Sequence, residues 1–591
     1  MQQQLLLDLS DPIAHLIKAQ LILICDDAAS ITLALPRWIP GSYLLRDFAK
    51  HISKLVATDE QGNNLPLIRL DLSRWQLDAP TGRATLHYEL YAYDASVRAN
   101  YFCPSFAFIN PAATALYVEQ WREQPYQLSV QAPSVNHNWQ VYTTLGNSIT
   151  DEYGFGDYHA LNYDDLIEHP LLIGNGVVMD WQVGNVPHRM VFVDEAPLID
   201  VNITRIIEDL TAICSAQHRF WENPPYPNYL FQVMVSSDGY GGLEHNNSTA
   251  LMTNRVSLPR LNQAVTKAYE DFLALCSHEY FHAWLVKRIK PSVLIRPNLQ
   301  DAVLTPLLWV FEGFTSLYDD WFLYRSGRID VIKLCSRWSD SITRTLITKG
   351  GENQSLADSS IEAWIKLYQQ NENSPNSQIS YYTRGTVVAI LLLAELVKQG
   401  KHLDNLLSLW WQQWQSANYQ GISEASLQQD LQRICPMVNW SSWLEQQVNQ
   451  PNPDVLTQLQ DALTTLKFLF AAKEAATIGA KLSEEQGRLL VKQITSNGAA
   501  HQAGVQVGDE LIAINGWRIS TDAQLEQMLQ SWLLKNTYMA LNITINHKGV
   551  LSSIVLIPSV ETISYHCSIT EDEASKVWLN GRNFNAGAIK Q

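Results

Sequence analysis

The chain has 591 residues, 46% of them hydrophobic and 17% charged, so it carries enough apolar material for a cored globular protein of about three to five domains. Its formal net charge of −17 argues against nucleic acid or an anionic membrane surface as a partner, since both select basic patches. The seven cysteines, Cys25, Cys103, Cys214, Cys276, Cys335, Cys435 and Cys567, are odd in number and show no paired spacing, which reads as reduced thiols.

The first residues, Met1-Gln2-Gln3-Gln4 and then Leu5-Leu6-Leu7-Asp8, contain no basic segment, and Asp8 and Asp11 interrupt the apolar run, so no signal peptide is expected. The longest apolar run, Thr386 to Ala394, is too short to span a bilayer, and a cytoplasmic location is expected. Alternation in Leu16 to Ile24, Ile31 to Leu35 and Leu86 to Tyr93, broken by Pro, Gly and Asn turns, predicts a β-rich domain over residues 1–165. Mixed strand and helix signals predict a second domain over 166–330, and a mostly helical region follows over 331–455. In that region Trp410, Trp411 and Trp414 read as a core stripe rather than a ligand box.

Within the second domain, Leu230 to Val235 reads as a strand, and Gly241-Gly242-Leu243-Glu244-His245 comes after it. By itself this segment could be a glycine turn with a solvated Glu. Apolar residues Leu261, Ala264, Val265, Ala268, Tyr269, Phe272 and Leu275 then repeat at three-to-four spacing, predicting a helix from just after Pro259 towards Pro291. Inside it His278-Glu279-Tyr280-Phe281-His282 spells HExxH. Histidines four apart share one helix face and can offer two nitrogens to one ion, and Glu279 beside them can serve as general base. Cys276 points about 200° away from His278 on a helix and reads as a packed thiol.

A catalytic zinc needs a third protein ligand and an open position. The apolar segment Leu307 to Tyr318 holds one acidic residue in its middle, Glu312, and a buried carboxylate needs a partner. A metal would supply that partner, as would an Arg or Lys, and Glu312 is assigned as the third ligand.

HExxH with a distant Glu in Glu312-Gly313-Phe314 resembles the gluzincin metallopeptidases, which include thermolysin and aminopeptidase N. The Gly241–His245 stretch is similar to the exopeptidase segment of aminopeptidase N relatives, which implies that Glu244 grips the substrate's free α-amino group. Glycines there allow close backbone approach, and an edge strand can pair with an extended peptide, so Gly241, Gly242, Glu244 and His245 are assigned to substrate binding. Tyr381-Tyr382-Thr383-Arg384-Gly385 resembles the helix start that carries an oxyanion-stabilising tyrosine. Its spacing to Gly385 selects Tyr382, although Tyr381 could face the metal instead.

The narrower resemblance, over nearly the whole chain, is to the glycyl aminopeptidase family. It is carried by Trp38-Ile39-Pro40-Gly41-Ser42-Tyr43 with Arg46-Asp47-Phe48, and by the zinc helix running on into Val286-Lys287-Arg288-Ile289-Lys290-Pro291. Leu285 and Leu392 stand where that family's pattern has Asn and Asp, positions that are neither ligands nor acid–base groups. After the linker-like Asn449 to Asp454, the run from Leu489 through Gly508-Asp509-Glu510-Leu511-Ile512-Ala513-Ile514-Asn515-Gly516 to a helix over Thr521–Trp532 looks like a PDZ domain, assigned to 470–560, with a tail over 561–591. Its peptide-binding loop would fall near Ile478-Gly479-Ala480, and either C-terminal peptide binding or a purely architectural role fits.

The implied fold is multidomain α+β, with a β-rich N-terminal domain, a thermolysin-like zinc metallopeptidase domain with a helical subdomain, and a C-terminal PDZ domain. The implied enzyme is a zinc-dependent aminopeptidase with one Zn2+ at His278, His282 and Glu312, and Glu279 and Tyr382 as catalytic groups. Its substrates would be peptides with a free N-terminus, and resemblance suggests that Gly or Ala is removed. A zinc endopeptidase with the same core, or a PDZ peptide-binding module with weak activity, are the alternatives.

Overall fold

In the first strand, Gln2–Asp11, Leu5, Leu7 and Leu9 turn inward and their neighbours outward, the period of a strand with one buried face. That strand pairs with Leu16–Cys25, and this with Gly82–Tyr91, at the centre of an eight-stranded sheet. Two four-stranded sheets accompany it, giving the expected β-rich N-terminal region. The computed structural model describes residues 2–133, 138–534, 539–569 and 577–581. It divides into two units, Met1–Val303 with Tyr318–Arg328, and Leu304–Leu317 with Ile329–Gln591.

The first unit continues into a five-stranded sheet. Its strands are β1 (Val177–Val183), β2 (Val186–Val193), β3 (Tyr229–Ser236), β4 (Gly241–Glu244) and β5 (Ser248–Asn254), in the order β1-β2-β3-β5-β4. The helix α1 (Ile203–Trp221) connects β2 to β3, a parallel pair, and β3 to β5 is also parallel. The glycine-rich strand β4 is therefore an edge, antiparallel to β5 with Gly242 opposite Leu251 and Glu244 opposite Thr249.

The zinc-motif helix α2 spans Lys267–Phe281, shorter than the expected run from Pro259 to Pro291. Thr266 sets its start by accepting a hydrogen bond from the Tyr269 amide, so residues 260–265 are not helical. Its end comes at His282, after which Val286 adopts φ +98°, a left-handed backbone that no helix continues. The amide of His282 still donates to the carbonyl of His278, so the two histidines keep their one-turn relation. A π-helical turn, Trp309–Gly313, leads directly into α3 (Phe314–Arg325).

In the second unit, α4 (Val331–Leu346) and the almost wholly buried α5 (Thr383–Lys398) belong to the helical region. Trp410 and Trp411 lie in the helix Leu403–Trp414 and are buried, whereas Trp414, expected in the same core stripe, is only partly buried and stacks on Trp411. Towards the C-terminus a sheet runs from the edge strand Ala480–Glu485 through Arg488–Ile494, Glu510–Ile514 and Leu541–His547 to Val550–Leu556. With the helix Asp522–Leu534 it encloses a core of Ile478, Leu489, Val491, Leu511, Ile514 and Leu529, the expected PDZ architecture. Ser559–Ile569, most of it inside the stretch assigned as a tail, is strand and pairs with Phe468–Thr477. Residues 570–576 and 582–591 of that assigned tail lie outside the described residues.

Candidate metal centre

Donor atoms of His278, His282 and Glu312 lie within 4.8 Å of one another, and among the described residues this is the group of that kind that could hold a metal ion. Two helices supply it. His278 and His282 stand one turn apart at the end of α2, and Glu312 stands in the π turn that opens the continuous helix carrying Asp319. Single π turns inside helices re-aim a side chain that regular spacing would misplace.

Hydrogen bonds at the far ring nitrogens fix how the histidines present themselves. Nδ1 of His278 donates to Oδ2 of Asp319 at 2.9 Å, and Nδ1 of His282 donates to the carbonyl of Leu285 at 2.9 Å. A ring nitrogen bonded to a carboxylate or carbonyl carries the proton, so each imidazole offers an Nε2 lone pair. Two neutral nitrogens and a carboxylate oxygen are a donor set suited to Zn2+ with a fourth position open. Asp319 was not singled out from the sequence. Its signal was present: it follows Glu312 by seven residues, two turns along the same face.

Glu279, 5% exposed, is packed against β4. A Cβ on Gly242 would fall 2.3 Å from its Oε1, so the glycine gives the carboxylate its room. The carbonyl of Gly242 accepts from Nη2 of Arg98 at 3.1 Å, which engages one acceptor of that strand. Glu244 ends β4 and is 4% exposed, with Gly41 against its carboxylate. Gly241, φ +140°, is partly exposed.

His245 is 1% exposed, and burial pushes its imidazole down to about 3. Its Nδ1 faces Oε2 of Glu168 at 3.9 Å, while the other oxygen of Glu168 binds Nζ of Lys287 at 2.6 Å. Burial alone would raise the Glu168 carboxyl, but the charges of Lys287 and its neighbours overcome that and hold it at about 2. His245 thus stands on a buried ion pair that ties the segment after α2 to residue 168.

The helix α2 has a second anchor. Nδ1 of His188 donates to the carbonyl of Val186, leaving Nε2 to accept from the hydroxyl of Tyr280 at 2.8 Å. The same hydroxyl lies 2.7 Å from Nε2 of His218 and accepts there. Burial pushes both histidines down to about 4.

Tyr382 caps the start of α5, and its hydroxyl shares Tyr368 with that of Tyr381, each at 3.0 Å. Burial raises both phenols well above their ordinary value. The negative charge of Glu312 adds to that rise at both phenols.

Two models of one peptidase family match the chain, the Peptidase M61 N-terminal domain over residues 4–175 and M61 glycyl aminopeptidase over 271–388. The second span holds every group from His278 to Tyr382. A crystal structure described as an aminopeptidase N family protein from Idiomarina loihiensis is 30% identical, with a TM-score of 0.91, over 98% of this chain and 100% of that one. The chain belongs to the M61 glycyl aminopeptidase family. This M61 protein is a peptidase, a hydrolase of the aminopeptidase class, with one group of residues able to hold a metal ion among those described. A PDZ domain model also matches it, over residues 490–532. An M1 zinc metallopeptidase from Deinococcus radiodurans is 11% identical, with a TM-score of 0.46 over 78% of the M61 chain and 93% of its own. No curated protein matches it. Among the described residues, no helix is long and apolar enough to cross a membrane.

Proposed function

We propose that this M61 peptidase removes single small residues, Gly or Ala, from the free N-terminus of peptides, using one zinc ion held by His278, His282 and Glu312. The observation that carries the reading is that the three donors converge while Glu279 lies next to His278 on the same helix. Bound there, zinc supplies Lewis-acid polarisation of the scissile carbonyl and makes a water easier to deprotonate.

The chain's own groups do the rest. Glu279 takes the proton of the attacking water and delivers it to the leaving amine, as a general base that becomes a general acid. Gly242, having no side chain, leaves that carboxylate the room it occupies. Tyr382 donates its phenolic hydrogen to the oxygen on which negative charge develops, and its raised pKa keeps it protonated for the purpose. Glu244, at the end of the edge strand, receives the α-ammonium of the first residue. Gly241 and Gly242 let the substrate backbone come close to the strand. His245 supports this end of the strand from within.

The division into 1–165, 166–330, 331–455, 470–560 and a terminal segment belongs to the same reading, with catalysis confined to the middle regions. The PDZ domain takes a C-terminal peptide by strand addition at Ala480–Glu485, the outer strand of its sheet. The seven cysteines are buried and unbridged, which suits a reducing cytoplasm.

Mass spectrometry of a ten-residue peptide beginning Ala-Gly tests the activity. Stepwise loss of one residue at a time from the N-terminus is expected, and it should vanish in Glu279→Gln with zinc content unchanged. Internal fragments as the first products would overturn the proposal in favour of an endopeptidase.

A further inference from the structure

The Trp38–Phe48 segment was marked by resemblance alone, and neither the metal nor the acid–base groups require it. Its placement gives it a task. Gly41 has φ +96°, and a Cβ built on it would lie 2.6 and 2.7 Å from the two carboxylate oxygens of Glu244 and 2.8 Å from its Cδ. The carboxylate occupies the volume that any other residue at position 41 would fill. No flexible side-chain end yields here except the carboxylate itself.

The segment that presents Gly41 is rigid. Trp38, Ile39, Ser42 and Tyr43 are each at most 1% exposed. The amide of Ser42 donates to the carbonyl of Ile39, closing a tight turn with Pro40 and Gly41 at its centre. Nε1 of Trp38 donates to the carbonyl of Asn298 at 2.9 Å, and the amide of Arg37 to that of Leu299. Arg37 also pairs with Asp47 at 2.6 Å, pinning the far end of the loop. A loop fixed at both ends cannot retreat from the carboxylate.

We propose that Gly41 is a positioning residue for aminopeptidase action: the N-terminal β-domain, through the Trp38–Tyr43 turn, sets where Glu244 holds the substrate's α-ammonium. The proposal rests on Glu244 being the amine anchor. It makes the β-domain part of the specificity site. A residue with a Cβ at position 41 displaces the carboxylate, so the enzyme loses its grip on free N-termini before it loses catalytic power.

The test is a mutant cycle on a free dipeptide amide, with Gly41→Ala, Glu244→Ala, the double variant, and Gly41→Ala combined with Glu244→Asp. Gly41→Ala is expected to raise KM about tenfold with kcat changed far less. Adding it to Glu244→Ala should cost nothing further, because the atom it displaces is gone. Shortening the acid in Gly41→Ala with Glu244→Asp should recover part of the KM loss. Pro40→Ala, which loosens the turn without placing an atom at the carboxylate, keeps the test alive if the left-handed backbone at 41 rejects alanine. It should raise KM in the Glu244 protein and not in Glu244→Ala. Equal losses with and without Glu244, or a fall in kcat alone, would overturn the proposal. Failure of the underlying reading is seen separately, as Glu244→Ala with unchanged KM.

Discussion

Gly313 and Gly385 meet backbone to backbone: a Cβ on Gly313 would lie 2.5 Å from the Cα of Gly385, and one on Gly385 would lie 2.9 Å from the carbonyl oxygen of Trp309. The hydroxyl of Thr386 adds a bond to the carbonyl of Gly313 at 3.3 Å. Gly313 follows Glu312, and Gly385 lies one turn after Tyr382. The glycine contact therefore sets the distance between the carboxylate proposed as a ligand and the phenol proposed for the oxyanion.

Gly385→Ala should push these two helical segments apart. Overpacking of this kind costs about 1–3 kcal/mol of stability. The larger loss is expected in kcat, since a misplaced oxyanion donor costs roughly 10² or more. Thermal unfolding and steady-state kinetics on the same sample check this; unchanged kcat would show that the glycine contact does not position Tyr382.

Asp319→Asn keeps the shape of the side chain but weakens its hold on Nδ1 of His278. Losing such an outer partner lowers metal affinity about 10–100-fold. Competition with a chelator of known affinity measures it, and zinc binding as tight as in the parent protein would contradict the assignment.

Gly242→Ala places a methyl group where Glu279 now lies. The expected result is a fall in kcat with zinc content intact, because Glu279, the proposed general base, is displaced while the proposed ligands are not. Zinc titration beside turnover separates the two.

The pair His188 and His218 gives a pH signature. Both titrate near 4 in the folded protein and near 6.5 when unfolded, so between those values the unfolded chain binds protons that the native one refuses. Their contribution to stability is complete above about pH 6.5 and is lost as pH falls towards 4. Urea midpoints at pH 8, 6 and 5 should drop more steeply for the parent than for His188→Gln. Parallel curves for the two proteins would show that His188 is protonated in the fold.

The zinc motif was legible because both its chemistry and its period are local. A helix of 3.6 residues per turn puts His278 and His282 on one face whatever surrounds them. Glu312 was legible as a lone acid in an apolar run, but the π turn that carries it has no sequence period to betray it. The limits of α2 were misjudged because apolar spacing continued upstream, while the Thr266 cap and the backbone at Val286 ended the helix earlier. Arg98, Glu168 and Gly41 reach the site region from 144, 77 and 203 residues before their partners Gly242, His245 and Glu244. Contacts so distant leave no pattern in one sequence. The strand within Ser559–Ile569 was missed for a related reason, since its partner Phe468–Thr477 lies on the other side of the PDZ sheet in the chain.

In the proposed function, the metal centre works on peptide ends because Glu244 holds a free amine. The direct measurement is kcat/KM for one alanine-initiated peptide with its N-terminus free and acetylated, in the zinc-loaded parent protein and in Glu244→Ala. The free peptide should be cleaved by the parent at least about 100-fold better than the blocked one, and Glu244→Ala should erase most of that difference. Equal cleavage of free and acetylated peptide by the parent protein would contradict it.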